Sequence, residues 1–269
     1  MDFNEHMKLF HEIFDASLPR LGPGDDASTI KALKKLYPAN PGEENIGPAK
    51  LKVLDIGCGN GAQTIQLATH LDCKILAVDN HGPFLQELER RAKDAGVAHK
   101  ITTSLKDMGE LSRDDGTFDL IWSEGALNLM GFSEGELSPT GFGDGLALCH
   151  ELVRPGGAVV LSELCWFRDN PPAECKAFFD EAFPYMETFE EYRTLMESVG
   201  FNVIDSFTLP ESSWWDNYLD PLEKRIRSLR ERYEWDEERL AFMDMVGKEM
   251  HIYREYSSFY GYGFFVMRK

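Results

Sequence analysis

Three glycines at alternating positions, Gly57, Gly59 and Gly61, have the types and spacing of a ligand-binding turn. They follow an apolar run over residues 51–56, and Asp55 precedes the first glycine by two positions. The pattern predicts a buried strand, a tight turn and the start of a helix. Glycine allows positive φ or the close approach of a ligand, and the free N–H groups of a helix start attract an anionic group. The stretch therefore predicts a nucleotide-like ligand lying across this turn.

Acidic residues follow the predicted strands in the first part of the chain. Strands alternate with helices there, which predicts a parallel sheet covered on both faces. Ligands in open α/β sheets bind beyond the carboxyl ends of the strands. Each acid taken singly can equally be a helix cap or a loop residue, but together they predict one acidic binding edge. The acids are Asp55, Asp79, Asp107, Glu124 and Glu163.

The two ends of the chain differ from this alternating centre. Helices are predicted over residues 3–18 and 27–36, and a linker rich in proline and glycine over 38–48. After a sixth predicted strand at 201–209, residues 210–256 are strongly helical and aromatic, and a last strand follows at 262–267. These ends are therefore expected to cover the central sheet.

Composition limits the classes of function. The 269 residues carry 46 acids and 28 Lys plus Arg, a net charge of -18. So acidic a surface repels phosphate backbones and anionic membranes, so we expect neither a nucleic-acid partner nor membrane insertion.

The cysteines and the hydropathy pattern suggest a location. Five scattered cysteines form no Cys-x-x-Cys pair and no zinc-ligand spacing, so we expect reduced thiols, no bound metal and a cytoplasmic protein. No apolar run is as long as a membrane span, and residues 1–10 lack a signal-peptide core.

Four ordered segments resemble the motifs of class I S-adenosylmethionine-dependent methyltransferases. They are VLDIGCGNG from Val53, the pair Val78-Asp79, FDLIWSEGA from Phe118 and LVRPGGAVVLSE from Leu152. The resemblance covers roughly residues 50–209 and the last strand. It is strongest to small-molecule enzymes similar to the ubiquinone and menaquinone methyltransferases, and to an uncharacterised subgroup with the SEGA turn at 123–126.

The resemblance implies an α/β, Rossmann-like fold. Its sheet has seven mostly parallel strands with helices on both faces, an antiparallel last strand and helical lid insertions. We expect an N-terminal helical cap over residues 1–48 and a methyltransferase domain over 49–269, with insertions at about 166–188 and 211–257.

The resemblance also implies roles in binding S-adenosyl-L-methionine. The turn of Gly57, Cys58, Gly59 and Gly61 would lie against the methionine part, with Asp55 near its amino group. Asp79 would accept both ribose hydroxyls, since a carboxylate has two acceptor oxygens. The remaining expected contacts are Asn80 and His81 beside the adenosine, Asp107 and Met108 at the adenine, Glu124 and Gly125 at the methyl, and Arg20 on the carboxylate. For Arg20, a surface role is the alternative, and Cys58 is expected to be a spacer rather than a nucleophile.

The expected reaction is an in-line methyl transfer to a small molecule. The sulfonium supplies the activation, so the protein mainly orients the reactants, and a base is needed only for a protonated nucleophile. Glu124 is the expected catalytic residue, and other candidate bases are Glu163, His81 and His150, of which His150 is expected to be a packed side chain.

The acceptor pocket is expected where the chain departs from the common class I pattern. Those parts are the N-terminal helices, the loop over 131–143, Trp166 with Phe167, and the insertion with Trp214, Trp215 and Tyr218. These aromatics can line a lid for a planar molecule or only pack the lid onto the sheet. Open alternatives are a non-catalytic cofactor-binding protein, an NAD-dependent oxidoreductase, and a homodimer rather than a monomer.

Overall fold

The computed structural model describes residues 2–38, 46–133 and 135–269. In the described chain the strands form one seven-stranded sheet, with spatial order β3-β2-β1-β4-β5-β7-β6. Strand β7 runs antiparallel to both of its neighbours, and the other pairs are parallel. The strands are β1 (Leu51–Ile56), β2 (Cys73–Asp79), β3 (Ile101–Leu105), β4 (Phe118–Glu124), β5 (Val153–Trp166), β6 (Asn202–Thr208) and β7 (Tyr260–Arg268).

The helices lie on both faces of the sheet and over its carboxyl edge. They are α1 (Phe3–Ile13), α2 (Asp26–Leu36), α3 (Ala62–His70), α4 (Gly82–Asp94), α5 (Gly141–Leu152), α6 (Ala173–Ala182), α7 (Phe189–Val199), α8 (Glu211–Trp214), α9 (Asp220–Arg232) and α10 (Glu237–Tyr256). The mostly parallel, Rossmann-like α/β architecture expected from the sequence is confirmed.

Two apolar layers pack against the two faces of the sheet, and a third apolar cluster joins the helices near its carboxyl edge. One layer joins α2 and α3 to the side chains of Val53, Leu120 and Val160, and the opposite layer joins α5 and α7 to the other face. The third cluster packs α1, α6, α9 and α10 around Trp214 and Tyr260. Alternate residues of β5 face opposite layers, as the two-residue period of a strand requires. The carboxyl edge is thus enclosed by both chain ends.

Three predicted boundaries are wrong in detail. The first helix ends at Ile13 rather than residue 18 because the Asp15 carboxylate accepts the backbone N–H of Ser17, a turn that competes with the helix. Helix α5 begins at Gly141, inside the predicted loop. The long helical insertion is interrupted by a π-helical turn at Trp215–Leu219 and a break before Glu237. The predicted linker at 38–48 lies largely outside the described residues.

Gly61 gives a first testable prediction. Its φ is +82°, and an added Cβ would lie 2.2 Å from Leu88 Cδ1 of α4. We expect Gly61→Ala to lower the free energy of unfolding by about 2–5 kcal/mol, since left-handed strain and overpacking add. Urea unfolding should show this loss. The matched control is Gly96→Ala, where φ is +72° and no atom lies within 4 Å of the added Cβ. Equal losses in the two variants would show that contact with Leu88 contributes nothing.

Candidate active site

The glycine turn joins β1 to α3 at the carboxyl edge. Gly57 and Gly59 have φ of +65° and +52° and remain partly accessible, whereas Cys58 between them is buried. A Cβ on Gly57 would lie 2.3 Å from Ala126 Cβ. The close approach at Gly57 is therefore made by the loop after β4. Burial raises the pKa of the Cys58 thiol well above its ordinary value, which agrees with a spacer rather than a nucleophile.

Asp79 lies at the end of β2, directly beside this turn. Its carboxylate accepts hydrogen bonds from the backbone N–H groups of Gly59, at 2.9 Å, and His81, at 2.8 Å. The side chain is half-buried, and burial raises its pKa despite these two donors. Each carboxylate oxygen keeps acceptor capacity, so Asp79 both fixes the glycine turn and presents acceptors to a ligand.

Asp55 has a different position from Asp79. It is fully buried, and its carboxylate accepts the Thr64 hydroxyl at 2.6 Å and the Gln63 amide at 3.3 Å. Both donors belong to the first turns of α3. In this geometry Asp55 holds the helix start against the strand, and its contact with a cofactor amino group stays a prediction.

The buried Asp55 predicts a pH dependence of stability. Burial raises its pKa from 3.8 to about 7, so between these values the folded state binds more protons than the unfolded state. The contribution of Asp55 to the free energy of unfolding therefore falls as pH rises, by about 1.4 kcal/mol per unit. Urea unfolding at pH 5, 6 and 7 should show a steeper fall for the wild type than for Asp55→Asn. Parallel curves for the two proteins would contradict this assignment.

The adenine side of the expected site is built from the loop after β3. The Asp107 carboxylate accepts the Gly109 backbone N–H at 2.8 Å and the Asn80 amide at 3.3 Å. Met108 is half-buried, and its methyl group lies near Gly57. The structure therefore brings Asn80, Asp107 and Met108 together beside the glycine turn.

His81 contacts the first helix of the chain. Its ring stacks on His11 of α1, with ring centroids 3.6 Å apart and planes at 12°. Burial and the neighbouring His81 lower the pKa of His11 to about 4, and burial lowers the pKa of His81. Two neutral rings can stack without charge repulsion, so α1 closes over the Asp79 end of the edge at neutral pH.

Arg20 and Glu124 form a largely buried ion pair. Arg20 is 7% exposed, the Glu124 side chain is 6% exposed, and the nitrogen and oxygen are 2.9 Å apart. Glu124 also accepts hydrogen bonds from Thr29 and Trp122, each at 2.9 Å, and Arg20 also pairs with Asp26. Arg20 is thus not a surface residue. Glu124 has its oxygens engaged by three donors, so its catalytic role stays a prediction.

Sequence reasoning missed two residues that hold the N-terminal segment over the glycine turn. The Asn60 amide donates to Leu18 O at 2.7 Å, and Arg91 of α4 donates to Leu18 O and Pro19 O at 2.7 and 3.0 Å. Asn60 lies within the glycine motif, so its position was the available signal, whereas nothing local marked Arg91.

Tyr262 is a further residue that sequence reasoning missed. A Cβ on Gly125, where φ is +65°, would lie 2.9 Å from the Tyr262 hydroxyl oxygen. The Gly125 N–H donates to Ser162 O at 2.8 Å, which places the loop after β4 beside the end of β5. Tyr262 of β7 therefore borders the expected methyl-transfer position together with Gly125.

The other candidate bases lie in unlike environments. Glu163 on β5 is fully buried, its Oε1 accepts the Leu164 N–H at 3.0 Å, and burial raises its pKa to about 8. His150 on α5 packs edge-on against Phe201, as a packed side chain does. Of Glu163 and His150, only Glu163 lies at the carboxyl edge of the sheet.

The aromatic residues of the expected lid mainly pack against one another. Trp214 is fully buried and stacks on Tyr253 at 4.0 Å between centroids, and Trp166 meets Phe179 edge-on. The Tyr218 hydroxyl donates to Glu249 at 3.0 Å. These contacts favour the packing interpretation for Trp214 and Trp166.

Comparisons with known proteins agree with this geometry. Residues 53–157 match the family described as Methyltransferase domain. Sterol 24-C-methyltransferase of Pneumocystis carinii is 24% identical over 66% of this chain and 48% of its own length. Tocopherol O-methyltransferase of Arabidopsis thaliana is 25% identical over 73% of this chain and 60% of its own. The chain thus spans about half the length of these curated relatives.

A solved structure reproduces the fold across nearly the whole chain. It is a methyltransferase from Geobacter sulfurreducens in complex with S-adenosyl-L-homocysteine, with a TM-score of 0.73 and 18% identity, covering 99% of this chain and 98% of that one. At this identity the likeness shows the fold alone. The matched segment 53–157 contains β1 to β4 with the glycine turn, Asp79 and Glu124. Over this segment the chain is similar to the methyltransferase-domain family, and its fold is that of the solved methyltransferase structure.

Proposed function

We propose that this chain is an S-adenosylmethionine-dependent methyltransferase that acts on a small molecule by in-line methyl transfer. The observation that carries the proposal is Asp79: a half-buried carboxylate fixed by two backbone N–H groups beside the glycine turn, inside the matched segment. The curated relatives, which include sterol and tocopherol methyltransferases, support a small-molecule acceptor.

The residues present fit S-adenosylmethionine. Asp79 retains acceptor positions for the two ribose hydroxyls, and the partly accessible backbone at Gly57 and Gly59 suits the methionine part. Arg20 uses two N–H donors on acidic residues and has others left for a carboxylate. Asp107 and Met108 would hold the adenine. When bound, the cofactor supplies a methyl group on a positively charged sulfur.

The tasks left to the chain are orientation and exclusion of water. The loop of Gly125 and the Tyr262 side chain would place the acceptor in line with the methyl group, which can contribute about 7–11 kcal/mol. Helix α1 and the Arg20 segment would cover the reactants. Glu124 would act there through the Arg20 ion pair, as part of the wall beside the transfer position.

Two organisational proposals accompany this function. Residues 1–48 would form the cap, and residues 49–269 the catalytic domain with lid insertions at about 166–188 and 211–257. The hydrogen bonds that Asn60 and Arg91 donate to Leu18 O support a cap that lies against this domain. A homodimer stays a proposal. A cytoplasmic location is supported by five free, buried cysteines; separately, the described helices include none long and apolar enough to cross a membrane.

Thermal-shift titration with S-adenosylhomocysteine and NAD tests the cofactor. We expect S-adenosylhomocysteine to raise the melting temperature, because a ligand that binds the folded state stabilises it. We expect NAD to leave the melting temperature unchanged. Stabilisation by NAD alone would refute the proposal. A panel of phenols, quinones, amines and carboxylates with labelled S-adenosylmethionine then tests turnover.

One observation favours a second candidate, a non-catalytic cofactor-binding protein. Glu124, the carboxylate at the end of β4, has its oxygens engaged by Arg20, Thr29 and Trp122. Binding of S-adenosylhomocysteine without methyl transfer to any member of the panel would favour this candidate over the enzyme.

A further inference from the structure

A cavity of about 390 Å³ lies beside the carboxyl end of β5, between the 137–144 segment, the 183–187 loop and helix α7. We call it the β5 pocket. Its volume falls in the range of small-molecule sites. Its walls are largely apolar, formed by Phe142, Phe183, Tyr185, Met186, Tyr192 and Leu195. Aromatic walls of this kind suit a planar apolar ring.

Among the described residues, two buried polar atoms on or next to the lining of the pocket have no hydrogen-bond partner. They are Asn128 Oδ1, on a lining residue, and Glu163 Oε2. Glu163 is fully buried, and the backbone N–H of Asn128 lies close enough to its carboxyl group to act against the rise in its pKa, so the two residues are neighbours. Both atoms therefore have hydrogen-bonding capacity that a ligand can use.

The two atoms need different partners. An amide oxygen only accepts, so Asn128 Oδ1 requires a donor. Burial raises the pKa of Glu163 to about 8, and Tyr192, Cys165 and Tyr262 around it bring no positive charge. Glu163 is then protonated at neutral pH, and its O–H requires an acceptor. A hydroxyl group offers one donor and two lone pairs, which satisfies both atoms.

The charges around the pocket select against anions. Asp144 and Glu187 line it, and none of its described lining residues is a lysine or an arginine. A carboxylate or phosphate would meet only like charge there.

The pocket adjoins the expected methyl-transfer position. Asn128 lies in the single 3₁₀ turn Leu127–Leu129, which follows Gly125. Ser162, which accepts the Gly125 N–H at 2.8 Å, immediately precedes Glu163. A molecule whose hydroxyl reaches Asn128 is therefore directed toward the loop that borders the transferred methyl group.

We propose that the β5 pocket is the methyl-acceptor site and takes an uncharged aromatic alcohol, whose hydroxyl bonds to Asn128 and Glu163. This inference rests on the proposed function. On O-methylation the oxygen forms a bond to the methyl carbon, the carbon–sulfur bond breaks with its electrons going to sulfur, and the hydroxyl proton leaves to solvent.

Calorimetric titration of the protein saturated with S-adenosylhomocysteine tests the site with three probes. They are 1-naphthol, 1-methoxynaphthalene, which lacks the donor, and 1-naphthoate, which is anionic. We expect 1-naphthol to bind at least about fivefold more tightly than either analogue, since one hydrogen bond is worth about 1 kcal/mol. Tighter binding of the naphthoate would overturn the proposal.

Three variants test where 1-naphthol binds. Leu195→Trp narrows the pocket from α7 and should weaken 1-naphthol binding at least tenfold, and Asn128→Leu about fivefold. Thr194→Trp is the matched control, because Thr194 is an exposed neighbour on the same helix. All three variants should bind S-adenosylhomocysteine as the wild type does. If Leu195→Trp leaves naphthol binding unchanged, the pocket assignment is wrong although the proposed function stands. If the wild type binds no S-adenosylhomocysteine, the proposed function fails and the acceptor role fails with it.

Discussion

Replacing Asp79 by alanine is expected to weaken binding of S-adenosylhomocysteine by roughly two to four orders of magnitude. Two hydroxyl hydrogen bonds to a charged group contribute about 1.5–3 kcal/mol each, and tenfold in affinity corresponds to about 1.4 kcal/mol. The loss also frees the Gly59 and His81 N–H groups that now hold the turn. Isothermal titration calorimetry measures the change.

Two further variants make this result specific. Asp79→Asn keeps one acceptor oxygen and should lose less affinity than Asp79→Ala. Asp94→Ala removes an acid from α4 that is 68% exposed and pairs only with Arg90 in the described chain, so its affinity should match the wild type. An Asp79→Ala protein that folds and binds within threefold of the wild type would remove Asp79 from the site.

Breaking the Arg20–Glu124 ion pair is expected to cost more stability than breaking an exposed ion pair. Arg20→Met should lower the free energy of unfolding by about 3–5 kcal/mol, because it leaves a buried carboxylate without its counter-charge. The double variant Arg20→Met/Glu124→Gln should recover part of this loss, because no buried carboxylate without a counter-charge then remains at Glu124. Urea unfolding of Arg20→Met, Glu124→Gln and the double variant gives the coupling energy between the two side chains.

An exposed ion pair supplies the comparison. Arg193 and Glu197 pair on α7 with side chains 45% and 51% exposed, and Arg193→Met should cost less than about 1 kcal/mol. If Arg20→Met costs no more than Arg193→Met, the N-terminal cap is not held to β4 by this pair.

Local sequence patterns were sufficient for the sheet and the glycine turn. The apolar runs at Leu51–Ile56 and Cys73–Asp79 became β1 and β2, and the antiparallel last strand was confirmed. The strands and the turn depend on neighbouring residues in the chain, whose spacing decides between strand and helix, whereas the antiparallel direction of β7 was implied by the resemblance to the methyltransferases. The boundary errors at residues 14–18 and 141–145 arise where side-chain hydrogen bonds or packing override that spacing.

In the candidate site, too, the sequence predicts the positions of residues but not their contacts. The acids at the strand ends could be located because parallel strands end at one edge, but their partners could not. Asp55 bonds to α3, Asp79 to the glycine turn, and Glu124 to Arg20, 104 residues away in the chain. Three similar acids thus differ in exposure and in available lone pairs, and these differences come from contacts that no sequence spacing encodes.

By itself the sequence determined that a nucleotide-like ligand lies across the glycine turn, because glycine spacing is a local requirement of such a turn, and the resemblance of its ordered motifs to methyltransferases implied S-adenosylmethionine. Only the tertiary structure decided what covers that turn and where an acceptor can bind. Asn60 and Arg91 hold the segment before α2 through the Leu18 carbonyl, and the β5 pocket forms where β5, the 183–187 loop and α7 meet. Such contacts join residues far apart in the chain, so packing and burial, rather than residue order, create them.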